Sequence, residues 1–191
     1  MDAAVSPALR LNGEGAPVEL WLLRRAAARA RQRQAARDWL AGELARRGQE
    51  ACWTESPKGP WMTAGARWRS SFSYCGPYIL CGLSRLGVPG VDLAGGADGP
   101  GDADVVHLYC GPEAAAGLAA CPAPDRADVF ARAWSGLEAR LKACRRGLEE
   151  YSPERERFLA AARITCQVRH DGLWASAALR PDPAEPGRGG S

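Results

Sequence analysis

The chain has 191 residues, 46% of them hydrophobic and 25% charged, with a formal net charge of +3. That length holds one ordinary domain or two small ones around a real core, and the balance is that of a globular chain. So mild a charge does not by itself point to nucleic acid.

No apolar run approaches the roughly 18 residues of a membrane crossing. Met1–Leu11 lacks a basic stretch followed by an apolar one, so no secretory signal is expected. The expectation is a soluble, cytoplasmic protein with no membrane partner. The seven cysteines are scattered and odd in number, with no Cys-x-x-Cys pair. They read as reduced thiols, several serving as small core residues, rather than as a disulfide framework or a structural zinc site.

In chain order, residues 1–16 are small, polar and broken by Gly and Pro, and read as a flexible lead-in. Val18–Leu23 is a short apolar run with the character of a strand. From Arg24 to Arg47 the residues are mostly Ala, Arg, Gln and Leu, good helix formers. Ala36, Leu40 and Leu44 form a core-facing stripe at i, i+4 and i+8. Gly48 stands where a helix-ending glycine would. Cys52–Gly65, broken by Pro57, Gly59 and Pro60, predicts a loop or hairpin. Trp68–Leu83 predicts two short strands around Gly76-Pro77, and Val88–Leu93 a further strand carrying Asp92. Gly95–Gly101 offers little to bury and reads as loop.

Val105–Ala120 predicts one or two short helices, ended by Pro122 and Pro124. Asp128 is a candidate N-cap for a helix over Val129–Gly147. In it Phe130, Trp134, Leu137, Leu141, Cys144 and Leu148 recur at a 3–4 spacing, the clearest amphipathic signal in the chain. Ala162–Arg169 and Leu173–Leu179 predict strands joined by a turn at His170-Asp171-Gly172. Residues 181–191 have the Pro/Gly-rich composition of a disordered tail.

The order strand–helix–strands occurs twice. It predicts a mixed α/β (α+β) fold of two similar lobes, residues 17–91 and 92–180, with a cleft between them. Each lobe is expected to be a long helix on a small, mostly antiparallel sheet, the two related by a pseudo-twofold.

Three patches carry residues suited to chemistry. They are Ser73-Tyr74-Cys75-Gly76, then Gly90-Val91-Asp92-Leu93-Ala94, then the helix stretch Trp134-Ser135-Gly136-Leu137-Glu138-Ala139-Arg140-Leu141-Lys142. Each also has a structural reading. An Asp near a strand end caps turns. Glu138 and Lys142 at i and i+4 form a helix-stabilising pair. Phe130, Trp134 and Leu137 suit a core. Between Arg24 and Arg47 eight arginines stand against Asp38 and Glu43, which suits an anionic partner or a solvated helix face.

Taken in order, the patches resemble the 4′-phosphopantetheinyl transferases of the surfactin-synthetase-activating, two-lobed type. In that family a Ser-His-Ser segment is followed by Gly-Val-Asp-Ile-Glu and later by a helix reading Trp-x-x-Lys-Glu-Ala with a further lysine. The resemblance covers roughly Arg24–Gly147, including a match of the Pro57-Lys58-Gly59-Pro60 loop. It implies that Asp92 and Glu138 bind Mg2+, or Mn2+ in its place, and that Glu138 helps deprotonate an incoming serine. It implies that Lys142 stands near the transferring phosphate. Lys58 and Ser73 match residues near the phosphates of coenzyme A, Tyr74 takes the position of the family histidine, and Arg37 is the candidate contact for the ribose 3′-phosphate, with Arg24 or Arg25 as others. The partners implied are coenzyme A and an acyl- or peptidyl-carrier protein, with a monomer expected and no nucleic acid.

Three positions depart from the family pattern. Tyr74 replaces the histidine, Ala94 the second acid of the strand, and Leu137 the lysine before Glu138. The expected activity is Mg2+-dependent transfer of phosphopantetheine to a carrier serine. The alternative is a relative that binds coenzyme A or a carrier without that transfer, or one turned to other chemistry.

Overall fold

The computed structural model describes residues 8–54, 61–64, 68–95 and 102–182. The chain mixes helix and strand, with two antiparallel sheets. The first sheet contains β1 (Leu9–Arg10), β2 (Glu19–Arg24), β3 (Cys52–Thr54), β4 (Trp61–Ala64), β5 (Trp68–Cys75) and β6 (Tyr78–Ser84), in the order β1-β2-β6-β5-β4-β3. The second contains β7 (Gly87–Gly95), β8 (Arg163–His170) and β9 (Leu173–Pro181), in the order β7-β9-β8. Five α-helices lie among the described residues: α1 (Arg29–Arg46), α2 (Asp102–Val105), α3 (Pro112–Ala120), α4 (Arg126–Ala143) and α5 (Pro153–Leu159). None of the helices among the described residues is long and apolar enough to cross a membrane.

Side-chain alternation along the strands sets the layers. Leu23 on β2 and Ile79 and Cys81 on β6 pack with Ala35 and Ala36 of α1. The alternate residues Leu20, Leu22 and Leu80 turn to the other face and pack with Val91 and Leu93 of β7 and Ala175, Ala177 and Leu179 of β9. On the far side of the second sheet, Ala178 of β9 packs with Leu137, Ala139, Leu141 and Ala143 of α4. The order is therefore helix, sheet, sheet, helix, with the main apolar core between the sheets. β7 is covered on both faces, so most of it is apolar, and Asp92 is its one ionisable residue.

α1 starts later than its composition predicts. Arg24 is the last residue of β2, paired with Tyr78, and Arg25 N–H donates to Pro77 O at 2.6 Å. The sheet therefore takes the segment that helix propensity alone would continue. Buried Gln32 then donates to Arg25 O and Gly76 O, tying the first turn of α1 to the β5–β6 turn. At the other end Arg47 bridges Glu43 of α1 and Glu19 of β2.

The two strands predicted around Gly76-Pro77 and the two joined at His170-Asp171-Gly172 are present. α4 ends at Ala143 rather than Gly147, followed by Arg145 in the left-handed region at φ 57°. Asp128 lies in the first turn of α4 and pairs with Arg169 at 2.7 Å instead of capping the helix. Helix α5 falls where no helix is predicted. Its signal is present as Ser152-Pro153, a serine N-cap accepting from Arg155 N–H ahead of a proline in the first turn. β1 lies within the stretch read as a flexible lead-in. Residue 91, at the division between the expected lobes, is in the middle of β7.

Candidate functional site

Asp92 is near the middle of β7, its carboxylate on the α4 side of the second sheet. α4 lies so close to this strand that only glycine fits at position 90. A Cβ there would fall 2.0 Å from Ala139 O and 2.4 Å from Ala143 N, both backbone atoms. On the opposite face, a Cβ on Gly82 of β6 would fall 2.3 Å from Val91 Cγ1. These two approaches fix β7 between α4 and β6. A relay fixes α4 laterally: Gln167 Nε2 donates to Ser176 Oγ (2.9 Å), Ser176 and Ser135 share a 2.7 Å hydrogen bond, and Ser135 Oγ donates to Arg132 O. Ser135 and Ser176 are fully buried, and Ser176 is the register partner of Asp92.

This packing brings Lys142 onto β7. Its Nζ is 2.6 Å from Asp92 Oδ1 and 3.1 Å from Val91 O. Ser73, from β5, donates to the same Oδ1 at 2.7 Å and accepts from Leu93 N–H at 3.2 Å. Ser71, two residues earlier, accepts from Val91 N–H. The two serine hydroxyls thus satisfy backbone groups along an edge of β7 that no strand pairs. Asp92 Oδ1 has two donors, whereas Oδ2 has none among the described residues.

Glu138 lies one turn before Lys142 on α4 and is half-buried. Burial, helped by the negative charge of Asp92, pushes its carboxyl above the ordinary glutamate range, and Lys142 offsets only part of this. Its carboxylate has no hydrogen-bond partner among the described residues. Such a group is suited to accept a proton. No group of three or more His, Cys, Asp or Glu residues suited to a metal ion occurs among the described residues. What remains is a pair of carboxylates, Asp92 through Oδ2 and Glu138. That donor set fits a hard divalent cation that draws its other ligands from phosphate and water.

A second group lies on the other face of β5. Tyr74 follows Ser73, so its side chain points to α1 rather than to β7. The Arg29 guanidinium lies over its ring, 4.7 Å from the centroid. Burial raises the pKa of its hydroxyl against the pull of Arg33, Arg29 and Arg37, so it remains a neutral donor around pH 7. Arg29, Arg33 and Arg37 recur every four residues and share one face of α1. Arg24 ends β2 and Arg25 follows it, so neither is on the helix. Lys58 lies outside the described residues.

The other two departures from the family pattern differ in kind. Ala94 is two residues beyond Asp92 on β7 and so shares its face. An acid there would have joined the pair. Leu137 points away from the pair and packs with Leu141, Leu159 and Ala162. It lines an open pocket of about 370 Å³ along α4 and β8, together with Arg140, Glu156 and Ile164. A lysine at that position would extend toward that pocket, on a different face of α4 from Glu138 and Lys142.

Sequence reasoning misses Gly82, Ser71 and Ser176, and the packing and relay roles of Gly90 and Ser135. For the serines a signal exists, since Ser71 and Ser73 are two apart and hence on one face of a strand. No protein-family model matches the chain, and no curated protein sequence matches it.

Proposed function

We propose that the chain transfers 4′-phosphopantetheine from coenzyme A to a serine of an acyl- or peptidyl-carrier protein. The observation that carries the reading is the meeting of Asp92, Glu138, Lys142 and Ser73, drawn from β7, α4 and β5, at the family-like positions. The arginine face of α1 and the Tyr74 hydroxyl, on the other side of β5, supply a complementary site for the ribose 3′-phosphate. Beyond Arg69 no described strand pairs with the outer edge of β5, so a ligand as long as coenzyme A spans the two groups by passing that edge. In this reading the α1 layer and the α4 layer belong to two lobes related by a pseudo-twofold, with the substrates in a cleft where the lobes meet at the edge of β5, beside their shared core.

The carrier serine Oγ attacks the β-phosphorus. A new P–O bond forms to the serine, and the anhydride P–O bond to the α-phosphate breaks, so 3′,5′-adenosine diphosphate leaves. Glu138 accepts the serine proton, as its raised proton affinity and lack of internal partners suit it to do. Lys142 supplies a point charge to the diphosphate. Ser73 keeps Asp92 oriented on β7. Asp92 and Glu138 would hold a divalent metal, Mg2+ or Mn2+, whose charge when bound would stabilise the negative charge that builds on the departing α-phosphate.

A second reading is binding of coenzyme A or a carrier without transfer. Ala94 favours it, because the face of β7 beside Asp92 has no second acid. Intact-mass spectrometry of apo carrier proteins, incubated with this protein, coenzyme A and Mg2+, separates the two. A gain of one phosphopantetheinyl group, lost in Glu138→Ala, supports transfer. No gain on any carrier while coenzyme A still binds replaces it with the second reading.

A further inference from the structure

The carboxylate pair already has a cation of its own. Lys142 reaches Asp92 Oδ1 at 2.6 Å and is held there by Val91 O at 3.1 Å, while Ser73 occupies the same oxygen. The Asp92 side chain is 10% exposed and that of Lys142 31%, so solvent screens the contact only in part. Two ionised carboxylates and one ammonium leave a net charge near −1, and Ala94 adds none. A divalent cation entering beside Asp92 Oδ2 and Glu138 would meet that ammonium at close range.

A lysine is a compact charge on a flexible stem and follows the strongest negative charge within reach. A diphosphate beside α4 is such a charge, and it also brings the oxygen ligands that two carboxylates do not supply.

We propose that Lys142 is the resident counter-ion of Asp92 in the ligand-free protein, so that divalent metal binds tightly only together with the diphosphate of coenzyme A, onto which the ammonium moves. The identity of the diphosphate rests on the transferase reading above. The coupling itself rests on the contacts around Asp92. Metal and diphosphate then each raise the affinity of the other by the same factor.

The test is Mn2+ binding to the full chain, followed by the paramagnetic resonance of free Mn2+, with no carrier protein present. Protein-free mixtures correct for complexes in solution. Saturating coenzyme A is expected to tighten Mn2+ binding at least about tenfold in the wild type. Lys142→Met is expected to raise the Mn2+ affinity of the ligand-free protein about tenfold and to shrink the coupling. Lys142→Gln keeps a donor for Val91 O without the charge. It gives the same result, and serves where Lys142→Met does not fold. Asp92→Asn removes Mn2+ binding in every background.

Wild-type Mn2+ affinity that neither coenzyme A nor inorganic pyrophosphate tightens overturns the proposal. So does an unchanged or weaker Mn2+ affinity in the Lys142 variants. Inorganic pyrophosphate is titrated alongside. Coupling with pyrophosphate but not with coenzyme A leaves the counter-ion role standing and removes the transferase reading instead.

Discussion

α1 and α4 are each 18 residues long and each covers the outer face of a sheet, but they use their polar residues in opposite ways. α1 is pinned at its ends, by Gln32 on the β5–β6 turn and by Glu43 through Arg47 on β2. Arg29 and Arg31 beside the first anchor and Arg33 just after it are exposed, with Arg37 half-buried. α4 is pinned along its second half, by backbone contact of Gly90 with Ala139 and Ala143 and by the relay through Ser135 and Ser176. It delivers Lys142 onto the sheet and Glu138 beside it. A helix held at its ends is free to present charge outward, toward an anion that arrives from solution. A helix held along the half that carries Glu138 and Lys142 fixes those groups to within a turn. In the proposed reading, recognition and chemistry thus fall to different helices.

The largest expected effect breaks the chemical half alone. Glu138→Gln should lower transfer about 10²–10⁴-fold, the usual range for a lost general base, in the carrier mass assay. The acid limb of the wild-type rate profile should lie above the ordinary carboxylate range and should vanish in the variant. The same shift has a stability consequence. With its folded pKa raised, Glu138 favours the fold fully below the ordinary glutamate range, and that contribution is lost as pH rises through the raised value. Thermal melts across pH should therefore show Glu138→Gln gaining on the wild type as pH increases.

Gly90→Ala comes next. The added methyl collides with backbone of α4, so a cost of about 3 kcal/mol is expected in denaturant titration, with loss of transfer wherever the protein remains folded. An unchanged melt would mean that Gly90 does not fix the C-terminal half of α4. Arg37→Ala tests the recognition half. It should weaken coenzyme A about tenfold by calorimetry, as for one lost charge-assisted bond, and leave 3′-dephospho-coenzyme A unaffected. Equal loss for both ligands would detach the arginine face from the 3′-phosphate. The smallest effect is Ser176→Ala, expected to cost about 1 kcal/mol by opening the relay under α4.

Much of this arrangement was legible from the residues. The 3–4 spacing of Phe130, Trp134, Leu137 and Leu141 predicts α4, because a helix on a sheet must bury one stripe. The turns at Gly76-Pro77 and Asp171-Gly172 predict their hairpins, because few other residues allow such reversals. The start of α1 was not legible. Propensity favours helix from Arg24, and only the pairing of β2 with β6 withdraws that residue. The opposed directions of Ser73 and Tyr74 follow from strand alternation, but which face meets β7 and which meets α1 does not.

By itself, the sequence determined the local elements and the chemical identity of the groups: two carboxylates, a lysine, a serine and a row of arginines. Their local order sufficed because helix and strand periods are short-range properties of the chain. The tertiary structure alone decided that Lys142 rests on Asp92 and that Leu137 points away from it. Those outcomes depend on how closely α4 approaches β7. The approach is set by a missing Cβ at Gly90 and by contacts between residues far apart in the chain, which no local pattern encodes.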